Sequence, residues 1–382
     1  MAFPIPRTLF EPEHEQFRES LGRFLEAEVL PNLGRYEAQG FIDREVWRKG
    51  GAAGFLCPTM PEEYGGAGAD RRYSVVVFEE TARRGAVGLL GWSLHSDIVA
   101  PYLLHYGAEE VKRAWLPRMA TGEAIGAIAM TEPGAGSDLQ SIATRAVRDG
   151  DHYRLSGSKT FITNGWHCDL VVVAAKTDPA QGARGTSLFV VDTASPGFTK
   201  GRPLEKVGLK AQDTAELFMD DVRVPAANRL GEEGRGFACL MQELPWERLQ
   251  IAITAVALAE GVLEETIAYC RDRKAFGKPL LEFQNTRFAL AEAKTELQAA
   301  RVFVDRCIEL VLAGTLDAAT ASMAKYWCSD LQCKVIDACV QLHGGNGYMR
   351  EYAVARAWAD ARASRIYGGT NEIMKELISR SL

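Results

Sequence analysis

The run Leu170-Val-Val-Val-Ala-Ala175 interrupts a chain that otherwise repeats its apolar residues at helical spacing. It is short, uninterrupted and β-branched, and with Ser187-Leu-Phe-Val-Val191 and Ala215-Glu-Leu-Phe-Met219 it reads as a set of strands joined by turns such as Asp149-Gly150 and Ser195-Pro-Gly197. On the N-terminal side, from Glu13 to about Met119, the pattern is helical. Phe17, Leu21, Phe24, Leu25 and Val29 recur at spacings of three and four before Pro31, and further helices are expected near Arg44 to Gly54, Arg72 to Arg84, Leu94 to Tyr106 and Glu109 to Met119. On the C-terminal side, Leu249 to Asp272, Leu280 to Ala313 and Ala318 to Leu342 have lengths and short connections that suit an antiparallel bundle. The expectation is an α+β multidomain chain, with a helical domain over 1–121, a β domain over 122–231 and a helical bundle over 232–382.

Composition excludes several classes. The 382 residues are 47% hydrophobic and 25% charged, ordinary for a globular protein. A formal charge of −6, with basic residues scattered, gives no electrostatic basis for binding nucleic acid. Eight cysteines without a C-x-x-C pair suit core packing of reduced thiols. Met1 to Phe17 carries Glu11, Glu13 and Glu15 and no apolar core, so neither a secretory nor a mitochondrial leader is expected there. The longest apolar runs fall short of the ~20 residues that span a bilayer. The expected location is cytoplasmic, or the mitochondrial matrix for a processed mature chain.

There is no G-x-G-x-x-G opening a βαβ unit, no G-x-x-x-x-G-K-[ST] and no H-E-x-x-H, and no metal site is expected. Gly91-Trp-Ser-Leu-His95 fails the nucleophile-elbow pattern at its last position. Other segments carry usable chemistry. Ala129-Met-Thr-Glu-Pro-Gly-Ala-Gly-Ser-Asp138 can present backbone N–H groups and hydroxyls to an acceptor-rich ring edge or a phosphate, although an ordinary glycine turn explains it equally well. Lys159-Thr-Phe-Ile-Thr-Asn-Gly165 offers an aromatic ring at Phe161 and a hydroxyl at Thr163. The basic residues of Arg271-Asp-Arg-Lys-Ala-Phe-Gly-Lys-Pro279 read as a solvated helix end or as phosphate ligands. Gln341-Leu-His-Gly-Gly-Asn-Gly347 allows close backbone approach to a ligand, and Glu243-Leu-Pro-Trp-Glu-Arg248 precedes a long helix. Last comes Arg365-Ile-Tyr-Gly-Gly-Thr-Asn-Glu-Ile-Met-Lys-Glu-Leu-Ile-Ser-Arg380.

In order and over essentially the whole chain, these strings resemble the acyl-CoA dehydrogenase family. The resemblance is closest to the long-chain members, in which Gly-Gly replaces Glu-Gly after the tyrosine and Glu-Leu-Pro-x-Glu-Arg precedes a helix. It implies a β-barrel middle domain, a C-terminal four-helix bundle and FAD as cofactor. By this similarity Met130 and Thr131 face the isoalloxazine, Phe161 packs on the ring and Thr163 donates near its N5, while Gly136 contacts the cofactor and Ser137 sits near the FAD phosphates or the CoA entrance. Arg273, Phe276, Gln284, Gln341, Gly344 and Gly345 hold the cofactor from a neighbouring subunit or along its adenosine diphosphate half. Thr370, Asn371 and Glu372 lie along the same cofactor. Ser137, Ala238, Arg248, Gly368 and Gly369 would meet the acyl-CoA, with Arg248 holding its CoA portion.

The family's glutamate after the tyrosine is Gly368 here, so the resemblance moves the catalytic base to Glu247. The residues alone would make Glu247 a helix acid favoured by the macrodipole. The apolar Leu244, Pro245 and Trp246 before it would desolvate a carboxylate and raise its pKa toward roughly 6 to 7, the range of tuned glutamates. Glu372 competes on residue type. The implied reaction is α,β-dehydrogenation of a saturated acyl-CoA to a trans-2-enoyl-CoA in fatty-acid β-oxidation, by a homotetramer that passes electrons to an electron-transfer flavoprotein. Two rivals are an oxidase-like or specialised flavoenzyme acting on a branched, terpenoid or carrier-bound acyl group, and a non-catalytic acyl-CoA-binding homologue.

Overall fold

The computed structural model describes residues 5–382; the first four residues of the N-terminal segment read above lie outside the described residues. Seven helices come first: α1 (Pro12–Phe24), α2 (Leu33–Gln39), α3 (Arg44–Ala52), α4 (Arg71–Arg83), α5 (Leu90–Leu94), α6 (Ala100–Tyr106) and α7 (Glu109–Ala120). Two wide π-turns, Leu25–Val29 and His95–Val99, extend α1 and α5. Each ends two residues before a proline, Pro31 or Pro101, whose missing N–H breaks the i→i−4 ladder; the chain keeps turning by i→i−5 bonds such as Ala100 N–H to the His95 carbonyl.

The middle of the chain forms one mixed eight-stranded sheet: β1 (Gly126–Ala129), β2 (Arg145–Asp149), β3 (His152–Thr163), β4 (Leu170–Lys176), β5 (Thr186–Asp192), β6 (Phe198–Lys200), β7 (Thr214–Pro225) and β8 (Arg229–Leu230). Strand order is β6-β7-β3-β2-β4-β5-β8, with β1 parallel to β4. The two halves meet through a short parallel β2–β4 pairing, Arg145 opposite Lys176. Their inner faces enclose one core containing Ala146, Tyr153, Leu155, Val171, Val173, Phe189, Leu217 and Val222, which gives the sheet its barrel-like character. The alternate residues of β4, Leu170, Val172 and Ala174, pack instead with Val99, Tyr102, Leu103 and Met119 of the helices. Burial on both faces is why this strand reads as an unbroken apolar run.

The third part contains α8 (Gly236–Asp272), a small hairpin of β9 (Lys274–Ala275) and β10 (Lys278–Pro279), then α9 (Gln284–Leu312), α10 (Ala318–His343), α11 (Ala353–Ala361) and α12 (Asn371–Ser379). The helix expected from Leu249 in fact begins at Gly236 and runs through Pro245. The Met241 carbonyl, which Pro245 deprives of its partner, belongs to an exposed residue, so it is not left orphaned in the core. Glu247 is therefore well inside α8 rather than in its first turn.

The helical parts share a single core. Leu21, Leu25, Trp47 and Phe78 pack in the same cluster as Leu249, Ile253, Val256, Leu297, Val304 and Val335. Inside it Arg301 of α9 is fully buried and bonds Glu79 of α4 at 2.6 Å and Glu260 of α8 at 2.8 and 2.9 Å. Arg7 and Arg18 complete the charge neutralisation at Glu79. Seven of the eight cysteines are buried, and none is bridged. Among the described residues no helix is long and apolar enough to cross a membrane.

Candidate active site

The site is built where α8 crosses the π-turn and α6. Because Pro101 has no N–H to offer, the Asp97 carbonyl is free, and Gln250 Nε2 of α8 donates to it at 3.2 Å. That cross-link sets α6 against α8, and one residue beyond Pro101 the Tyr102 hydroxyl donates to Glu247 Oε1 at 2.9 Å. Tyr102 is fully buried and Glu247 is only 7% exposed. Burial is the main cause that pushes the Glu247 pKa up to about 7; the Tyr102 hydrogen bond opposes it, the nearby Glu243 charge adds to it, and Arg248 opposes it. A carboxylate poised near neutrality is suited to taking a proton from a weak carbon acid and giving it back.

Glu243, one turn earlier, is held by the His105 ring at 2.8 Å and the Tyr106 hydroxyl at 3.0 Å. Although it too is partly desolvated, these donors and the Arg71 charge leave its pKa below the ordinary value. The two acids of one helix face thus have opposite tendencies. Glu372, the competitor by residue type, is exposed and kept below its usual pKa by its own backbone N–H and by Thr370. It lacks the desolvation a base needs.

Gly368 and Gly369 form the opposing loop, both in left-handed backbone conformation, at φ +66° and +92°. A Cβ built on Gly368 would lie 2.4 Å from Ile251 Cδ1, and Ile251 is one turn beyond Glu247, so the loop is pressed against the face of α8 that carries the acid. The loop is fixed from behind. The buried Lys325 ammonium of α10 donates to the Gly369 carbonyl at 2.7 Å and to Asn371 Oδ1 at 2.9 Å. The Asn371 amide in turn donates to Ser329 and Asp330 at 3.0 Å. Asn371, expected at the cofactor, has its side chain committed to this lock. Arg248, expected to hold the CoA portion, is 6% exposed beside Glu247 on α8; its charge acts on Glu247 and Lys325, and its Nε has no hydrogen-bond partner among the described residues. Ala238 is half-buried on the first turn of α8, and Ser137 is exposed beyond β1.

The segments expected at the flavin come together on the sheet. Thr160 N–H donates to the Thr131 carbonyl at 3.0 Å, and Lys159 Nζ donates to the Met130 carbonyl at 3.0 Å and to Glu132 at 2.8 Å. Met130 and Thr131 therefore lie beside the β3 segment that carries Phe161 and Thr163. A register shift between Lys159 and Ile162 places Phe161 at φ +58° and turns its ring outward, 69% exposed. A strained backbone that displays an apolar ring calls for a flat ligand to cover it. Next to it, a Cβ at Gly134 or Gly136 would meet nothing within 4 Å, which leaves the turn open to close approach. These features fit an isoalloxazine ring and the adjoining phosphates.

A second group lies elsewhere. Asn346 donates to the Tyr269 hydroxyl at 3.0 Å, the His343 ring stacks on Tyr269 at 4.1 Å, and Arg273 N–H bonds the Tyr269 carbonyl. Gly344, Gly345, Gln341, Arg273 and Phe276 thus gather around the C-terminal end of α8, with Gln284 exposed at the start of α9. A Cβ on Gly344 or Gly345 would again meet open space, and Phe276 is 96% exposed at φ +50°. Tyr269 is about six turns beyond Glu247, about 33 Å along the helix axis.

Tyr102, Glu243, Gln250 and Lys325 were not anticipated. A lone lysine inside the apolar run of α10 was the available sign for Lys325; the pairing of Tyr102 with Glu247 joins residues 145 positions apart and left no local sign.

Comparison with known proteins accounts for this arrangement. The N-terminal, middle and C-terminal domain models of acyl-CoA dehydrogenases match residues 11–123, 127–222 and 234–382. The mitochondrial long-chain specific acyl-CoA dehydrogenase of Sus scrofa is 53% identical over 378 residues, 98% of this chain and 88% of that protein. The crystal structure of an acyl-CoA dehydrogenase from Geobacillus kaustophilus superposes with a TM-score of 0.96 at 52% identity, covering 98% of this chain and 99% of that one. A glutaryl-CoA dehydrogenase from Mycobacterium smegmatis, solved in complex with FADH2, reaches a TM-score of 0.89 at 30% identity, over 98% of this chain and 95% of that one. The chain belongs to the acyl-CoA dehydrogenase family, FAD-dependent oxidoreductases that act on acyl-CoA thioesters.

Proposed function

We propose that this enzyme converts a saturated acyl-CoA to its trans-2-enoyl-CoA with Glu247 as the base that removes the α-proton. The observation that carries this is the pairing of a desolvated Glu247, its pKa near 7, with a side-chain-free Gly368 packed one turn further along the same helix face. The α-proton goes to the Glu247 carboxylate, and the Gly368 N–H is the donor for the thioester oxygen on which charge develops. Neither role needs a side chain at position 368, and the Lys325 lock keeps that N–H in place. Bound FAD supplies the acceptor for the hydride that leaves the β-carbon. Met130, Thr131, Phe161 and Thr163 hold the flavin end, while Thr370 and the backbone of Asn371 line its far side. Ser137, Ala238 and Gly369 border the thioester and CoA.

Separation of the Arg273–Gly345 group from Glu247 by about 33 Å of helix supports a cofactor site completed by a second subunit, and hence the homotetramer that the family resemblance implies. We assign the physiological acceptor as an electron-transfer flavoprotein and the route as fatty-acid β-oxidation. The test is anaerobic titration of the purified yellow enzyme with butyryl-, octanoyl-, palmitoyl- and branched acyl-CoA, followed by mixing with electron-transfer flavoprotein or oxygen. Flavin bleaching with enoyl-CoA formation, and reoxidation by the flavoprotein without hydrogen peroxide, is the expected result. Rapid peroxide release would favour an oxidase, and no bleaching with any thioester a binding protein.

A further inference from the structure

Glu247 is acted on in opposite senses by two neighbours that the proposed mechanism leaves unused. On α6, Tyr102 donates to Oε1 at 2.9 Å, which fixes that oxygen and leaves Oε2 as the one free to take a proton. The phenol cannot swing away: it is fully buried, follows the Pro101 turn and packs against Tyr106 with ring centroids 6.1 Å apart. Burial and the neighbouring Glu247 also raise its own pKa, so it stays protonated and remains a donor. On α8, Glu243 is a like charge one turn away, and its position is set by His105 and Tyr106 of α6, with Arg71 of α4 acting on it through charge. Arg248 of α8 is the remaining charge acting on Glu247.

We propose that Tyr102 is the positioning residue of the base and that Glu243, clamped by His105 and Tyr106, is its electrostatic counterweight, the two together setting the pH at which Glu247 works. The proposal rests on Glu247 being the base. It assigns a function to two polar groups at the α6–α8 contact, the Tyr102–Glu247 pair and the group of Glu243 with Tyr106 and the half-exposed imidazole of His105. The Tyr102 hydroxyl favours the ionised carboxylate and holds one oxygen away from the substrate; the Glu243 charge favours the protonated form.

The experiment is the pH dependence of anaerobic flavin reduction by the saturated acyl-CoA that reduces the wild type fastest, measured by stopped flow on holoenzyme. Tyr102→Phe removes only the hydroxyl. Its acid limb is expected to move up by about one pH unit, so that the rate falls about fivefold at pH 7 and recovers toward pH 9. Glu243→Gln is expected to move the limb down, with His105 and Tyr106 still able to bond the amide. A Tyr102→Phe limb that stays put, even with a lowered plateau, overturns the positioning role and leaves mere packing. If that variant does not retain flavin, Glu243→Gln decides: an unmoved or upward-moving limb overturns the proposal. Glu247→Gln serves as the control; a control that still reduces its flavin removes the reading on which the proposal stands, whereas an inert control with unmoved limbs removes the proposal alone.

Discussion

A Cβ built on Gly368 lies 2.4 Å from Cδ1 of Ile251, one turn beyond Glu247 on α8. The Gly368–Gly369 loop is therefore seated against the helix that carries Glu247, close enough that a side chain at 368 would meet Ile251. Gly368→Ala must either displace Ile251 or move the loop, and it adds strain of about 1 to 2 kcal/mol at φ +66°. Flavin content should be retained, while the rate of flavin reduction falls by about 10² to 10³, the usual cost of losing one oxyanion donor. A variant that reduces its flavin as fast as wild type would show that the N–H at position 368 is not the donor.

The elevated Glu247 pKa also makes a prediction about stability. The folded protein holds this proton up to about pH 7, whereas an ordinary glutamate releases it near 4.5. The folded state therefore binds more protons than the unfolded one between those values, and the contribution of Glu247 to stability, complete below about pH 4.5, is lost as pH rises through 7. At 1.36 kcal/mol per unit, the ionised acid costs about 3 kcal/mol at pH 8. Glu247→Gln should consequently melt above the wild type at pH 8, with the difference shrinking toward pH 5. Equal differences at both values would mean that the acid is not desolvated.

Arg301 neutralises Glu79 and Glu260 at the junction of α4, α8 and α9. Arg301→Met leaves both carboxylates buried with fewer partners and should cost about 3 to 5 kcal/mol. Chemical denaturation of holoenzyme is the check, and a loss below about 1 kcal/mol would mean that Arg7 and Arg18 at Glu79, with Arg83 2.6 Å from Glu260, suffice.

Arg273 and Phe276 stand exposed at the far end of α8, and no ion pair forms at the Arg273 guanidinium among the described residues. On the assignment of this end to a neighbouring subunit's cofactor, Arg273→Ala should purify with less flavin and regain it when FAD is added. The flavin-to-protein absorbance ratio measures this; full loading would place the phosphate contact elsewhere.

How far the chain can be read in advance depends on where each partner comes from. The strands at Leu170, Ser187 and Ala215 were legible because both faces of β4 and β5 and one face of β7 are buried, which gives recognisable apolar runs. The long β3 was not, since Arg154, Ser156, Ser158 and Lys159 break its pattern, and Lys159 is buried only because Glu132 receives it. Pro245 hid the start of α8 because a proline is tolerated wherever the orphaned carbonyl meets water. At the site, Glu247 was singled out by the family resemblance together with Gly368; its apolar neighbours alone left it a helix acid. Burial of Arg248 and capture of Asn371 by α10 depend on tertiary packing that no spacing encodes.

The base assignment is tested most directly by mixing Glu247→Gln holoenzyme with a saturated acyl-CoA under anaerobic conditions and following the flavin absorbance. The account predicts a variant that keeps its FAD and still binds the thioester, seen as a perturbed flavin spectrum, yet does not bleach. Bleaching at the wild-type rate would contradict it.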